Sequence, residues 1–563
     1  MQKIFDRIIK ISLYLLVFLV PLFFLPFSFE AFEYNKQYLL FFLISLAFFT
    51  WLAKMVLIDK EIRFKRSPLD PFVLAFLFIA IISAVFSVDK GSSIFGFYGR
   101  FSDGLINLLS LGMLYFLITN NVKTQVVANG LLANSDGYPS EKKSAKINNP
   151  EGKQASYGAG KPMLISASGL TKMLLWSVFF VILFSYFSIF GVWTKLNNLF
   201  SGVFSLPTVM LQSIFNPTAG SMEGLAVFLA IILVFLVGRI LTCVSKEKKI
   251  GRLIKYLLLI AIFVLLLIID FSMAWIVIVV SLVLFLAVAL GKRMFKDNVN
   301  RLLLPILITV VAGALLFVDT PIFNFQLPQE QVLGQDSSWL IGFKEATENI
   351  KSGFLGSGIG TWHYDFSKFR PESFNQSFLW QIRFDRAGSY VAEILGTMGF
   401  LGIFSYLFLI GIFLLISYLF LGQKNLSGLP LLMAFLALLV GQFVYYQNTI
   451  LAFTFWLILG LSVVNWQPPA TKSWWWAEKA ISFKNFPELS LVFSTCFVIL
   501  GLVVLGMYFF AVKFYLADIN YKKAFIEEQT QNLGKAVNLN PWQAQYKIVL
   551  ARDYLNKVFL ETQ

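Results

Sequence analysis

The sequence predicts an all-α, polytopic integral membrane protein with about thirteen transmembrane helices, a large extracytoplasmic loop and a short helical tail. Three observations predict it. Hydrophobic residues make up 58% of the 563 residues and charged residues 14%, whereas a soluble surface needs roughly 25% charged residues. The mean hydropathy is +0.73. Apolar runs long enough to cross about 30 Å of hydrocarbon recur along the chain. This composition excludes a secreted or cytosolic soluble enzyme.

In order, the runs are 12–29, 38–58, 71–88, 102–119, 173–192, 222–242, 254–270, 272–290, 302–318, 400–420, 429–446, 448–465 and 488–512. The first follows Lys3, Arg7 and Lys10, carries Pro21 and Pro26 late in its course, and has no small-residue cleavage site before the next run. It reads as a retained helix and not as a removed signal peptide. Orientation follows from the basic residues, which resist translocation. They cluster in alternate loops: Lys60, Arg63, Lys65 and Arg66; Lys246, Lys248, Lys249 and Arg252; Lys292, Arg293, Lys296 and Arg301. The N-terminus is therefore placed in the cytoplasm and the C-terminus outside. The net charge of +15 reads as orientation in the bilayer, and no nucleic-acid partner is expected.

This gives a transmembrane domain over 1–512 and an extracytoplasmic tail over 513–563. Residues 120–172 hold a Gly-, Ser-, Asn- and Lys-rich stretch, Ser135 to Lys161, with too little apolar content to fold, and read as a disordered cytoplasmic insertion. Residues 193–221 end in the turn Asn216-Pro217-Thr218-Ala219-Gly220 and suit a re-entrant or interfacial segment. Residues 319–399 form the large outer loop, with Trp339, Trp362, Trp380, several arginines and the only histidine, His363. Aromatic rings interleaved with charge suit a surface that rests on headgroups, either to hold an amphiphile or as an ordinary aromatic belt. In the tail, Ala524, the stretch Leu533 to Pro541, Tyr546, Leu550, Ala551 and Tyr554 resemble a tetratricopeptide unit. One unit and a fragment cannot bury a solenoid core, so the tail docks on the membrane domain, binds a protein partner or is truncated.

Few residues can carry chemistry. The chain has two cysteines, Cys243 and Cys496, far apart, one histidine, and no Asp-x-Asp, His-Glu-x-x-His or Cys-x-x-Cys pattern, so no metal site is predicted. P-loop and dinucleotide fingerprints are missing and no cofactor is expected. Glu30 and Glu33 stand at helical spacing in the first outer loop and read as a solvated turn. What remains is a set of outer arginines: Arg100, within Gly96-Phe97-Tyr98-Gly99-Arg100, and Arg370, Arg383 and Arg386 in the large loop. A guanidinium fork matches phosphate oxygens bidentately and stays charged at any pH, so such a set suits a lipid-linked pyrophosphate at headgroup level.

The stretch Trp339 to Ala346, followed by Ser352-Gly353-Phe354-Leu355-Gly356-Ser357-Gly358-Ile359-Gly360-Thr361-Trp362 and Phe366 to Pro371, resembles the outer loop of the O-antigen ligase and Wzy-type O-antigen polymerase superfamily. The continuation Asp385 to Gly402 stands where that family has an Ala-His-Asn helix and a Gly-x-x-G entry to the next span. The segment around Arg100, the Asn216-Pro217 turn, the many spans and the helical-repeat tail agree with it. Two positions depart: Gly388 and Ser389 stand in place of the family's His-Asn, and Ser272-Met273-Ala274 in place of Ser-Arg-Gly.

The resemblance implies a metal-independent, polyprenol-dependent glycosyltransferase. An acceptor hydroxyl on a glycolipid or polysaccharide would attack the anomeric carbon of a glycan on undecaprenyl pyrophosphate, at the outer face of the membrane, among membrane lipids. Arg100, Arg370, Arg383 and Arg386 are assigned to the departing pyrophosphate, and His363 or Glu393 to the base that Gly388 cannot be. The alternative is a catalytically degenerate member acting as a lipid-linked glycan binder or envelope assembly protein. A solute transporter fits less well, because intramembrane ionisable groups are expected there and Asp270 is almost alone.

Overall fold

The computed structural model describes residues 1–123, 125–128, 131–134, 165–200, 205–242, 249–317, 325, 327–421, 426–466, 478–483, 486–527 and 529–561. These residues are mostly helical, with twenty α-helices and short two-stranded pairings. Seven helices are long and apolar enough to cross a membrane: Glu33–Asp59, Ala167–Ile189, Met222–Leu241, Lys249–Ile269, Ser272–Gly291, Tyr390–Phe420 and Glu488–Glu527. Five shorter apolar helices accompany them: Asp70–Val85, Leu105–Asn121, Val299–Leu315, Leu429–Val444 and Thr449–Asn465.

The first apolar run is displaced from its expected position. Its helix is Gln2–Leu19, not 12–29, so Arg7 and Lys10 lie within it. Ile9, Leu13, Leu16 and Val17 are buried at helical spacing along one stripe of it. Pro21 and Pro26 lack the N–H that a continuing helix would need, and the chain turns there.

Met222–Leu241, Leu429–Val444 and Thr449–Asn465 are apolar on every side and lie in the core. Gly238 allows the first two to meet closely, since a Cβ there would lie 2.7 Å from Pro430 Cα. The segment read as the large outer loop is itself folded: Gln335–Glu348, Ile350–Leu355 and Trp362–Phe369 are helices packed on the first turns of Tyr390–Phe420. That last helix is broken at Gly399, φ 64°, so the loop's final residues form a separate helical piece.

Polar contacts between loops sort into two groups. In one, Glu61–Lys65 pairs antiparallel with Glu478–Ser482, Lys65 N donates to Asn120 Oδ1 at 2.8 Å, and Lys292 Nζ donates to the Leu421 carbonyl at 2.7 Å. In the other, Phe29 N donates to Asp518 Oδ2 at 2.7 Å, Lys36 Nζ to the Pro217 carbonyl at 2.5 Å and Val88 N to the Ser357 carbonyl at 2.9 Å. These are the same alternate sets that the basic residues separate.

The stretch 135–161, read as disordered, lies outside the described residues. Of its flanks, 125–128 pairs with 131–134 as a hairpin, and Val122–Lys123 pairs with Ile165–Ser166. Segment 193–221 holds a short helix, Val192–Leu199, and a single turn, Thr208–Leu211. In the tail, Pro487–Glu527 runs on from the last apolar run without a break, and Thr530–Leu539 and Ala544–Glu561 fold back against its end. Ala517, Tyr521, Ala524, Leu533, Ala536 and Tyr546 are buried together there, with Tyr98 of the Arg100 loop packed against them.

Candidate functional site

Two glycine-built loops frame the site. In Gly96-Phe97-Tyr98-Gly99-Arg100, both glycines have φ of 87°, and Arg100 N donates to the Phe97 carbonyl at 2.7 Å, a tight turn that projects the arginine. In the second loop Gly356 and Gly358 have φ of 69° and 123°, and a Cβ would lie 2.3 Å from Thr397 C at the former and 2.1 Å from Ser87 Oγ at the latter. Only glycine lets this loop wedge between the end of Asp70–Val85 and the first turns of Tyr390–Phe420. There Gly358 N donates to the Thr397 carbonyl at 2.9 Å.

Arg100 and Arg386 meet over one ring. Arg386 stacks on Tyr446 with its guanidinium carbon 3.7 Å from the ring centre, and that of Arg100 lies 5.7 Å from the same centre. Asp385 stands between them: its Oδ2 accepts from Arg100 Nε at 3.0 Å and its Oδ1 lies 3.6 Å from Arg386 Nε. On the far side Glu330 accepts from the Tyr446 hydroxyl at 2.7 Å and from Tyr445 at 3.1 Å, and lies 3.8 Å from Arg386 Nη2. Glu330 N in turn donates to Glu223 at 2.8 Å. Burial works against the Arg100 charge, but Asp385, Tyr446, Glu33 and Asp103 outweigh it and hold the guanidinium more basic than usual.

His363 lies close by, its ring 4.3 Å from that of Phe97 and 4.4 Å from that of Tyr364. Its Nδ1 is buried with no hydrogen-bond partner. Burial, with some help from Arg383, lowers its pKa below the usual imidazole value, against the opposing pull of Asp89 and Asp385. Glu393 is buried, accepts from Ala387 N at 3.4 Å and faces Arg100 and Asp385. The other two arginines stand apart. Arg370 is held by the Trp380 carbonyl at 3.0 Å and by Asn375. Arg383 is exposed and has no hydrogen bond or ion pair among the described residues.

Gly388, the position of the family histidine in the resemblance, has no room for a side chain. A Cβ would lie 2.0 Å from the Leu333 carbonyl oxygen, and the glycine N–H and C=O are bonded to Ser338 and Gln335, each at 2.8 Å.

Sequence reasoning missed Asp385, Glu330, Tyr445 and Tyr446, and it misread Glu33. The Tyr-Tyr pair stood at the boundary of an apolar run and gave no signal beyond an aromatic belt. Glu330 is separated from Tyr446 by 116 positions, which no local pattern connects. Glu33 is 6% exposed and not in a solvated turn; it is Glu30 that caps the helix, accepting from Phe32 N at 3.0 Å and Tyr34 N at 2.6 Å. Among the described residues no group of three or more His, Cys, Asp or Glu side chains is arranged for a metal ion.

No protein-family model matches the chain, and no curated protein sequence matches it.

Proposed function

We propose that the chain is a membrane glycosyltransferase of the O-antigen ligase and polymerase type, with about thirteen spans, its N-terminus in the cytoplasm and the arginine site at the outer face. The donor is a glycan on a polyprenyl pyrophosphate, and the acceptor is a hydroxyl of a second glycan or glycolipid. One observation carries this reading. Arg386 is 8% exposed and stacked on Tyr446, yet it makes no hydrogen bond among the described residues, because both its acidic neighbours stand beyond 3.5 Å. A buried guanidinium with unused donors favours an anion of closer reach, and pyrophosphate supplies several oxygens. Arg100, whose two Nη groups are likewise unbonded among the described residues, lies over the same ring.

When the glycosidic bond to the pyrophosphate breaks, charge develops on the leaving oxygen beside these two cations. The acceptor proton goes to a base near them, and His363 and Glu393 are two candidates for it. Lowering of the His363 pKa keeps that imidazole neutral, and so able to accept, near neutral pH.

The test uses purified protein in vesicles with a labelled polyprenyl-pyrophosphate glycan. Arg386→Ala should weaken binding of the donor by roughly 1.5–3 kcal/mol and lose transfer, with Arg386→Lys rescuing partly. His363→Ala and Glu393→Gln separately should leave binding intact, and the one that serves as base should lose transfer. Unchanged donor binding in Arg386→Ala would remove the site. A second reading, a noncatalytic binder of the same lipid, is favoured by Gly388, where the packing of Leu333 excludes the family's base. Binding without transfer to any acceptor would select it.

A further inference from the structure

Behind Arg100 lies a cavity of about 30 Å³, a volume that suits one hydroxyl or one water molecule. Asp103 and Glu393 line it on different elements, with Ser102, Asn107 and Gln447 beside them. Asn107 is 2% exposed; its Nδ2 donates to the Ser102 carbonyl at 2.8 Å, while its Oδ1 has no partner. A buried acceptor without a donor marks the cavity as a place for an O–H group.

The acids are more numerous than the charge around them can support. Asp103 faces Glu393, Glu33 and Arg100; Glu33 faces Arg100, Glu30 and Lys36, and accepts from Thr449 N; Glu393 faces Arg100, Asp385 and Asp365. Arg100 is shared by three of these carboxyls, and its Nε is taken by a fourth, Asp385. They cannot all be ionised together.

Ser102 shows where a proton sits. Its Oγ is 2.9 Å from Asp103 Oδ1 and 3.4 Å from Glu33 Oε2. A hydroxyl carries one proton and can donate to one carboxylate only. Both contacts are therefore hydrogen bonds only if one of the two acids is itself protonated and donates to Ser102.

We propose that Glu33, Ser102 and Asp103 form a proton-holding chain in which Asp103 accepts the proton of the attacking hydroxyl at this cavity. The inference rests on the transferase reading above for the identity of that hydroxyl. As the acceptor oxygen bonds to the anomeric carbon, its O–H bond breaks and the proton passes to the Asp103 carboxylate. The electron pair of the glycosidic bond leaves with the pyrophosphate. Glu33 keeps its proton and fixes the Ser102 hydroxyl toward Asp103.

Two measurements test it on the full chain. Infrared spectroscopy of the protein in vesicles at neutral pH should show protonated-carboxyl absorption that falls in Glu33→Gln and is unchanged in Glu372→Gln, a control at an exposed position. This readout needs no substrate, so it stands even if the chain transfers nothing. In the transfer assay, Asp103→Asn should lower the rate by about 10²–10⁴-fold while binding donor lipid as the parent does, which also shows that it folds. Absorption of the same intensity in Glu33→Gln as in the parent, or an Asp103→Asn variant that binds and transfers at the parent rate, would overturn the proposal. Failure of the parent itself to bind donor would count against the transferase reading, with the infrared result still deciding the proton chain.

Discussion

The Arg386 guanidinium lies face-on over Tyr446, 3.7 Å from the ring centre, while the hydroxyl of that same ring donates to Glu330. One side chain thus supports the cation and anchors one of its two neighbouring carboxylates away from it. The ring comes from the turn between Leu429–Val444 and Thr449–Asn465, two of the most deeply buried helices, so the platform is rigid.

Tyr446→Phe keeps the face and loses the hydroxyl. Glu330 would then be released toward Arg386, and competition for the guanidinium should weaken donor-lipid binding by a few-fold. Tyr446→Leu removes the stacking as well and should cost a further ~1–2 kcal/mol of binding. Titrations of both variants with a labelled polyprenyl-pyrophosphate lipid check the order Tyr, Phe, Leu; a leucine variant that binds as well as the phenylalanine one contradicts the stacking argument.

Gly388→Ala tests the packing at the position where the resemblance expects histidine. The Leu333 carbonyl oxygen lies 2.0 Å from the point an alanine methyl would occupy, so the backbone must shift, and the variant should lose about 1–3 kcal/mol of stability. Gly388→His should be worse and should not restore or raise transfer, even combined with Ser389→Asn. Thermal unfolding in detergent, followed by tryptophan fluorescence, measures the first; the transfer assay measures the second.

The extent to which this was legible in the sequence differs by element. Each apolar run overlaps a helix, because long apolar stretches without turn residues satisfy their backbone polar groups as helices. The run beginning at 400 starts where the helix resumes after Gly399, but the helical piece before it, from Tyr390, fell within the segment read as loop. The start of the first helix was not legible, because its amphipathic opening carries Arg7 and Lys10 and fails any purely apolar criterion. At the site, arginines are visible in a sequence as rare charges in loops, so Arg100 and Arg386 were found together with Arg370 and Arg383, which do not share the Tyr446 ring. What separates the pairs is Asp385, Glu330 and Tyr446, partners fixed by tertiary packing across hundreds of positions.

Asp365 gives a pH signature. It is 1% exposed, accepts from Ser357 Oγ at 2.9 Å, and its Oδ1 has no partner. Burial raises its pKa well above the usual carboxyl value, with Glu345 and Glu348 adding to the rise and Ser357 and Lys368 opposing it. The folded state therefore holds this proton at pH values where the unfolded chain has released it. Its contribution is fully present below the unfolded pKa of about 3.9 and is lost as pH rises through the folded value, by up to about 1.4 kcal/mol per pH unit. Asp365→Asn, which needs no proton, should flatten that fall. Unfolding temperatures of parent and variant across pH 5 to 9 (a range chosen to span roughly the perturbed carboxyl window) should diverge toward alkaline pH; parallel curves would place the proton elsewhere.

The alternation of loop contacts supports a prediction about topology. Glu61–Lys65 pairs with Glu478–Ser482 in the basic set, while Phe29 N bonds to Asp518 in the other. A reporter fused after Gln563 should behave as extracytoplasmic, and one inserted beside Lys60 as cytoplasmic. The same sidedness for both would break the alternation.

Asp518 is the joint between tail and site. It is 1% exposed; its Oδ1 accepts from the hydroxyls of Tyr98 at 2.7 Å and Tyr546 at 3.0 Å, and its Oδ2 from Phe29 N at 2.7 Å. Tyr98 is two positions from Arg100, so the helical tail holds the loop that projects that arginine. Asp518→Ala would leave three donors, of which the Tyr546 hydroxyl is buried, without this acceptor, at about 1–3 kcal/mol for each that water cannot reach. The expected outcome is local: faster hydrogen exchange at Phe29 and through the Tyr98 loop, easier proteolysis after Glu527, and weaker donor binding through Arg100. Asp518→Asn keeps an acceptor for one or two of the donors and should fall between Ala and the parent. Asp553→Ala provides the comparison, because that carboxylate accepts only from Thr530 and Lys557 within the tail. It should loosen the last helix without moving exchange at Phe29 or donor binding, whereas equal effects from both variants would mean that the tail is coupled to the site as a whole and not through Asp518.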